Sequence, residues 1–149
     1  FVGYSDEAAT REEIRQGWFR TGDLATVDED GWLTIFGRIK DIIIRGGENI
    51  SCPEVEAAAY EHDVVAELSV FGIADDRYGE VPGLVYFTKE GSELSPDELK
   101  SFLQAKLAPF KVPVHFWRVH EPLPRLGTQK IDRVTLRREY NAKVKELED

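Results

Sequence analysis

Four short stretches of the chain hold groups that could act on a ligand. Asp23 closes the run Thr21-Gly22-Asp23. A carboxylate held in so tight a turn can accept two hydrogen bonds from a vicinal diol, such as the 2′- and 3′-hydroxyls of a ribose, and its charge strengthens both. A plain turn or cap aspartate is the other reading, and an isolated Thr-Gly-Asp favours it. Arg38 stands in Gly37-Arg38-Ile39-Lys40-Asp41; its planar fork of donors can engage several oxygens at once, although alone it reads as a surface ion-pair partner. Gly46-Gly47 follows the β-branched run Ile42-Ile43-Ile44 and by itself is an ordinary hairpin bend. Lys130 ends Leu123-Pro124-Arg125-Leu126-Gly127-Thr128-Gln129-Lys130. A lysine after a loop is most often solvated, but a positioned ammonium stabilises charge developing in a transition state. His62, His115 and His120 have neither metal spacing nor a Ser or Cys partner. No metal site is therefore expected. Cys52 stands alone, without CxxC or Cys/His spacing; it reads as a small packing residue, with activation at a helix N-terminus as the alternative.

These residues need elements to position them. Residues 5–17 read as a short polar helix and loop, with Thr10 and Glu13 as a weak capping box. A hairpin is expected over Leu24 to Gly37, turning at Asp28-Glu29-Asp30-Gly31, where the glycine can take positive φ. Ile42 to Ile44 forms a strand broken at Gly46-Gly47. Ser51-Cys52-Pro53-Glu54 starts a helix with a Ser cap, an early Pro and a Glu three residues after the cap; Val55, Ala58 and Ala59 give that helix its apolar face. Strands follow at about 66–72 and 83–88, with Asp75 to Gly79 as the loop between them. Ser95-Pro96-Asp97-Glu98 repeats the capping logic before Leu99, Phe102, Leu103 and Leu107 at helical spacing. A strand at Phe116 to Val119 precedes a last helix with Leu136, Tyr140, Val144 and Leu147 inward. The pattern describes a small α+β domain of about 110 residues behind a hairpin segment.

Composition sets the outer limits. The 149 residues, 42% hydrophobic and 11% aromatic, suffice for one compact domain or a small domain plus a piece of its neighbour. A net charge of −9 argues against a nucleic-acid surface. It also means that any anion site must come from local Arg, Lys or backbone amides. There is no run of eighteen apolar residues and no signal-peptide pattern, so a protein without a transmembrane segment, working in the cytoplasm, is expected. The chain has no Met and opens on Phe1-Val2-Gly3-Tyr4, and reads as an excised piece.

In order and spacing, Gly17-Trp18-Phe19-Arg20-Thr21-Gly22-Asp23-Leu24, Gly37-Arg38-Ile39-Lys40-Asp41, Gly46-Gly47-Glu48-Asn49-Ile50 and the Pro124-to-Lys130 segment together resemble the closing third of the adenylate-forming enzymes, the superfamily of acyl-CoA synthetases and fatty-acid–CoA ligases. The resemblance covers essentially the whole chain. It implies that residues 1–39 are the tail of the large AMP-binding domain, residue 40 is a hinge, and residues 41–149 are the small mobile C-terminal domain: an α+β unit with a short mixed sheet, a β-hairpin and about three helices. Neither the family's phosphate loop nor its acyl-pocket segments are in the chain, and no GxxxxGK[ST] occurs.

The resemblance also implies roles. Asp23 would hold the ribose, and Arg38 the ribose or phosphate, of a nucleotide. Lys40 would be the hinge, and Lys130 the lysine of acyl-adenylate formation. Gly46, Gly47 and Glu48 would meet the pantetheine arm of CoA, with Tyr78, Phe110 and Lys111 near the CoA path. The intact enzyme would use ATP, CoA and Mg²⁺, bound mainly by the N-terminal domain that is its partner here. It would join CoA to a carboxylic acid, with fatty acids favoured, and the isolated fragment would be inactive. Gln129 departs from the family, which generally has Gly beside the lysine, and Val112 stands where a basic residue is common. An adenylation domain serving a carrier protein and a non-catalytic binding module are the competing readings.

Overall fold

The chain divides into two compact units, Phe1–Lys40 and Asp41–Asp149. The computed structural model describes Gly3 and residues 5–148 of them.

In the first unit, helix α1 (Glu7–Glu13) is capped by Asp6, whose carboxylate accepts the Ala8 N–H at 2.8 Å. The expected Thr10–Glu13 box is not used. Thr10 lies inside the helix with its hydroxyl donating to the Asp6 carbonyl, because an aspartate one turn earlier starts the helix first. Two-residue strands β1 (Ile14–Arg15) and β2 (Trp18–Phe19) make a minimal antiparallel pair. Strands β3 (Asp23–Val27) and β4 (Leu33–Arg38) form the expected hairpin, with Asp23 directly opposite Arg38. The Asp28 carboxylate accepts from the N–H groups of Asp30 and Trp32, and Gly31 has φ +85°. Trp32, expected at the start of the strand, belongs to the turn.

The second unit is built on one mixed sheet of β5 (Ile42–Arg45), β6 (Glu48–Ser51), β7 (Val65–Asp75), β8 (Gly79–Thr88) and β9 (His115–Val119). Its order is β6-β5-β8-β7, all antiparallel, and β9 lies parallel to β8. Strands β7 and β8 run longer than the sequence pattern indicates. Their ladder continues to the 75–79 turn, where the Asp75 carboxylate accepts the N–H groups of Arg77 and Tyr78. Strand β6 was not expected at all: only Ile50 of its four residues is buried, so no apolar alternation announces it. It is set instead by pairing with β5.

Helices α2 (Cys52–Tyr60), α3 (Pro96–Gln104) and α4 (Arg133–Glu148) cover both sheet faces. Leu68, Val70, Leu84 and Tyr86 point into a core with Val55, Leu99 and Leu103 of α2 and α3. The intervening Phe71, Ile73, Val81 and Val85 point into another with Leu136, Tyr140 and Val144 of α4. Burial on both faces is why these strands read as nearly continuous apolar runs. The capping box of α3 forms as expected between Ser95 and Glu98. The one expected at α2 does not: β6 runs straight into the helix, Ser51 makes no side-chain capping bond, and Glu54 pairs with Lys111 instead. Leu147, expected on the inner face of α4, is 84% exposed, one turn beyond the last buried contact. Leu107 falls after the end of α3. The edge of β7 is covered by Asn141 of α4, whose amide donates to the Gly72 carbonyl and accepts from the Ala74 N–H. Among the described residues, no helix is long and apolar enough to cross a membrane.

Candidate functional site

Asp23 and Arg38, read separately as nucleotide ligands, face each other across the β3–β4 hairpin. Arg38 Nε lies 3.0 Å from Asp23 Oδ1, with the arginine side chain half exposed. The turn before Asp23 is closed twice: the Thr21 hydroxyl accepts the Asp23 N–H, and the Gly22 carbonyl accepts the Ile39 N–H at 2.8 Å. A cleft of ≈350 Å³ opens here, lined by Glu12, Glu13, Arg20, Thr21, Arg38 and Lys40 among others. Lys40 itself lies in the 3-10 turn Ile39–Asp41, at the boundary of the two units, and is exposed.

Gly46 and Gly47 form the β5–β6 turn with φ +57° and +95°, a conformation that suits glycine. Gly46 also packs closely. A Cβ there would meet the Tyr78 ring at 3.1 Å, and its N–H donates to the Tyr78 carbonyl. Arg45, the last residue of β5, donates to the Phe110 carbonyl at 2.7 Å and lies over the Tyr78 ring, 5.0 Å from its centre. Gly46, Glu48, Tyr78 and Phe110, far apart in sequence, thereby line one open cavity of ≈340 Å³ with Arg45 and Pro109. Lys111 is not part of that lining; its ammonium is 2.6 Å from Glu54.

Lys130 stands at the end of a small hairpin. The Leu126 N–H donates to the Lys130 carbonyl, the Gln129 N–H to the Leu126 carbonyl and the Asp132 N–H to the Pro124 carbonyl, and Arg125 bridges Ile131. Residues 127–129 are thus a three-residue hairpin loop, whose last position takes a left-handed residue. Gln129 occupies it at φ +66°. A residue with a Cβ costs about 1 kcal/mol or more there. The Lys130 side chain is exposed. Arg125 donates to the Gln129 carbonyl at 2.7 Å and pairs with Glu67 of β7 at 2.6 Å.

One partly buried cluster fastens the flanks of these segments. Arg133, at the start of α4, holds Asp41 at 2.7 Å and Glu56 of α2 at 2.8 Å. Glu56 also accepts the Val70 N–H. Burial pushes its carboxyl above the usual range despite these partners. Burial likewise works against the Arg133 charge, but Glu56 and Asp41 outweigh it and hold the guanidinium above its ordinary value. Cys52 beside them is buried and its thiol is pushed from 9.0 up to about 12, mainly by burial. It is therefore an inert packing residue and not an activated one.

The sheet sets the spacing between the anchors of the glycine turn and the Lys130 hairpin. Arg45, next to the glycine turn, opposes Gly79 of β8; Glu67, which anchors the Lys130 hairpin, opposes Phe87 of the same strand. Eight residues separate those positions (87 − 79), roughly 27 Å at ~3.4 Å per residue. The Lys130 hairpin and the glycine turn are hung from opposite ends of one sheet. Sequence reasoning had not singled out Arg45, Arg125 or Glu67. Arg45 could have been noticed as a basic residue entering a glycine turn; Glu67 carries no local signal.

The model of the AMP-binding enzyme C-terminal domain matches residues 54–130. A 2-succinylbenzoate–CoA ligase of Bacillus cereus (strain ZK / E33L) is 41% identical over 144 residues, covering 97% of this chain and 28% of that protein. ATP-bound MatB from Rhodopseudomonas palustris superposes with a TM-score of 0.80 at 33% identity, over 93% of this chain and 28% of MatB. The o-succinylbenzoate CoA synthetase MenE of Bacillus subtilis, solved with the acyl-adenylate OSB-AMP, has a TM-score of 0.76 at 36% identity, over 89% of this chain and 27% of MenE. The chain therefore spans little more than a quarter of the length of these relatives. With just over half of its residues matched by the family model, over a span that carries β7, β8 and β9 and ends at Lys130, the chain belongs to the AMP-binding enzyme C-terminal domain family.

Proposed function

We propose that this chain is the C-terminal part of a longer ATP-dependent acid–CoA ligase. That enzyme would convert a carboxylic acid, ATP and CoA into acyl-CoA, AMP and pyrophosphate through an acyl-adenylate. The observation that carries this reading is the placement of the Lys130 hairpin and the Gly46-Gly47 turn at opposite ends of one sheet. Two segments tied to one sheet at points some 27 Å apart along β8 serve one active centre in turn only if the body rotates. The boundary of the two compact units at Lys40 supplies a place for that pivot. A hinge needs a short segment whose backbone angles change while its flanks stay rigid. Residues 1–39 then belong to the large domain and 41–149 to the mobile one.

In the adenylation state Lys130 faces the nucleotide, its ammonium against the carboxylate and the α-phosphate as charge develops there. The Gln129–Lys130 strain and the hydrogen-bonded hairpin restrict where that ammonium can reach. Rotation withdraws it and brings the cavity of Gly46, Glu48, Tyr78 and Phe110 to the adenylate, where side-chain-free backbone admits the pantetheine arm. Arg45 stiffens that cavity by holding both Tyr78 and Phe110. Asp23 holds the ribose diol and Arg38 turns to ribose or phosphate. Their mutual ion pair is exposed enough that opening it costs little, about 1 kcal/mol or less. Mg²⁺ is assigned to the ATP phosphates and the remainder of the enzyme. The names of the relatives favour a 2-succinylbenzoate-like acid over a fatty acid as the acyl substrate. The isolated chain, lacking that acyl pocket, is inactive in this reading.

The test is Lys130→Ala in the full-length ligase. Acyl-adenylate formation, read as pyrophosphate release, should fall on the order of 10²- to 10³-fold. CoA transfer from supplied acyl-adenylate should stay near the unsubstituted rate. Equal losses in both half-reactions would overturn the division of labour.

A further inference from the structure

We propose that Arg125 is a positioning residue for Lys130, clamping the Gln129–Lys130 peptide to Glu67 so that a strained backbone is held in place. The inference rests on Lys130 acting in adenylation, as proposed above.

The starting point is the outlier. Gln129 has φ +66°, a conformation in which its Cβ is crowded and from which an unrestrained glutamine would relax. Such strain persists only where the surroundings over-determine it. The turn's own hydrogen bonds are present, from the Gln129 N–H to Leu126 and from the Leu126 N–H to Lys130. They join the hairpin to itself and not to the body of the domain. Arg125 makes that second connection. One of its amino groups donates to the Gln129 carbonyl, which belongs to the peptide unit entering Lys130, and the other to Glu67 Oε1. The second Glu67 oxygen accepts the Leu123 N–H at 2.8 Å, and Leu123 is buried in the core under α4. One carboxylate thus grips both the guanidinium and the root of the hairpin.

Glu67 is itself aimed by the sheet. The register of β7 on β8 shifts between Val65 and Glu67, a bulge of the kind that turns a side chain to a new direction. Its side chain is 19% exposed against 40% for Arg125, so the anchor is the less solvated partner. The chain of contacts runs β7, Glu67, Arg125, Gln129 carbonyl, Lys130. Fixing that peptide plane fixes the direction in which the Lys130 side chain leaves the hairpin. A displacement of about 1 Å at such a group costs on the order of 100-fold in rate.

The clamp and the strain are coupled, and that coupling is the test. In the full-length ligase, Arg125→Ala should lower kcat for adenylation by on the order of 10- to 100-fold with KM for ATP little changed. CoA transfer from supplied acyl-adenylate should be retained, which also shows that the domain is folded. Gln129→Gly alone should change adenylation less than about threefold, because glycine accepts the same φ without strain. The double variant Arg125→Ala with Gln129→Gly should recover most of the lost rate, since glycine keeps the turn without the clamp. Adenylation by Arg125→Ala within twofold of the unsubstituted enzyme, or a double variant no better than Arg125→Ala, would overturn the inference. Should Arg125→Ala lose CoA transfer as well, Arg125→Lys is the deciding variant. It keeps one donor, so adenylation recovering with it supports the clamp, and CoA transfer recovering alone refutes it. Lys130→Ala assayed in parallel separates this failure from the other. If that variant still adenylates, the proposed function fails before the clamp is at issue.

Discussion

Residues 1–40 and 41–149 are both rich in apolar side chains, yet they use them in opposite ways. In the first unit no described side chain is buried. Trp18, Trp32, Val27, Ile35 and Leu33 are each at least 60% exposed. Its order comes from local bonds: an Asp cap, an Asp28 turn and a five-rung hairpin. In the second unit the same residue types are enclosed between a sheet and helices on both faces, and Phe71, Leu84, Tyr86, Leu99 and Leu103 are at most 1% exposed. A hairpin without a core is marginal by itself, whereas a two-faced sheet of this size carries its own stability. The difference teaches where stability sits: the first unit is ordered by local bonds, and the second by a core of its own.

That contrast can be broken by substitution. Phe71→Ala in the second unit should lower the stability of the chain by about 3–5 kcal/mol, as a large core truncation does. A loss under 1 kcal/mol in denaturant unfolding would mean that the second unit is not the stability-bearing one. Arg133→Gln should cost about 2 kcal/mol. Removing one member of a fully buried pair costs roughly 3–5, and the 30% exposure of the guanidinium reduces that. Trp32→Ser in the first unit should change the unfolding free energy by less than about 0.5 kcal/mol; a larger loss would show that its indole is covered.

A pH measurement sharpens the same contrast. Burial raises the Cys52 thiol from 9.0 to about 12. A group raised in the folded state adds stability that is full below its unfolded pKa and is lost as pH climbs through the folded one. The window for Cys52 is therefore about 9 to about 12. At pH 8 the native thiol should label with a disulfide reagent only at the rate of opening of the second unit, and denaturant should release it at once. Immediate labelling of the native chain would contradict its burial.

Where short-range chemistry decides, the structure follows the pattern in the residues. Ser95 and Glu98 formed their box, Asp28 and Gly31 their turn, and Gly46-Gly47 took the positive φ that only glycine accepts freely. Where several signals of similar strength competed, local reading went astray. Asp6 displaced Thr10 as the cap of α1, and Ser51 lost its capping role because β6 feeds directly into α2. Gln129 lies beyond such reasoning in another way. Nothing near it in sequence requires a left-handed residue; the hairpin does, and Arg125 holds it there from a carboxylate 58 positions away.

The order of the motifs, the residue types able to grip a diol or oppose a developing charge, and the alternation that makes a small α+β unit are all fixed by the amino-acid sequence. They depend on neighbours a few positions apart. The gathering of Gly46, Glu48, Tyr78 and Phe110 around one cavity, the pairing of Asp23 with Arg38, the bulge that aims Glu67 and the roughly 27 Å along β8 between the anchors of the two segments were decided only by the tertiary structure. Each depends on strand register and on which sheet edge a segment is tied to, and register is set by the packing of the whole sheet and by no single stretch of chain.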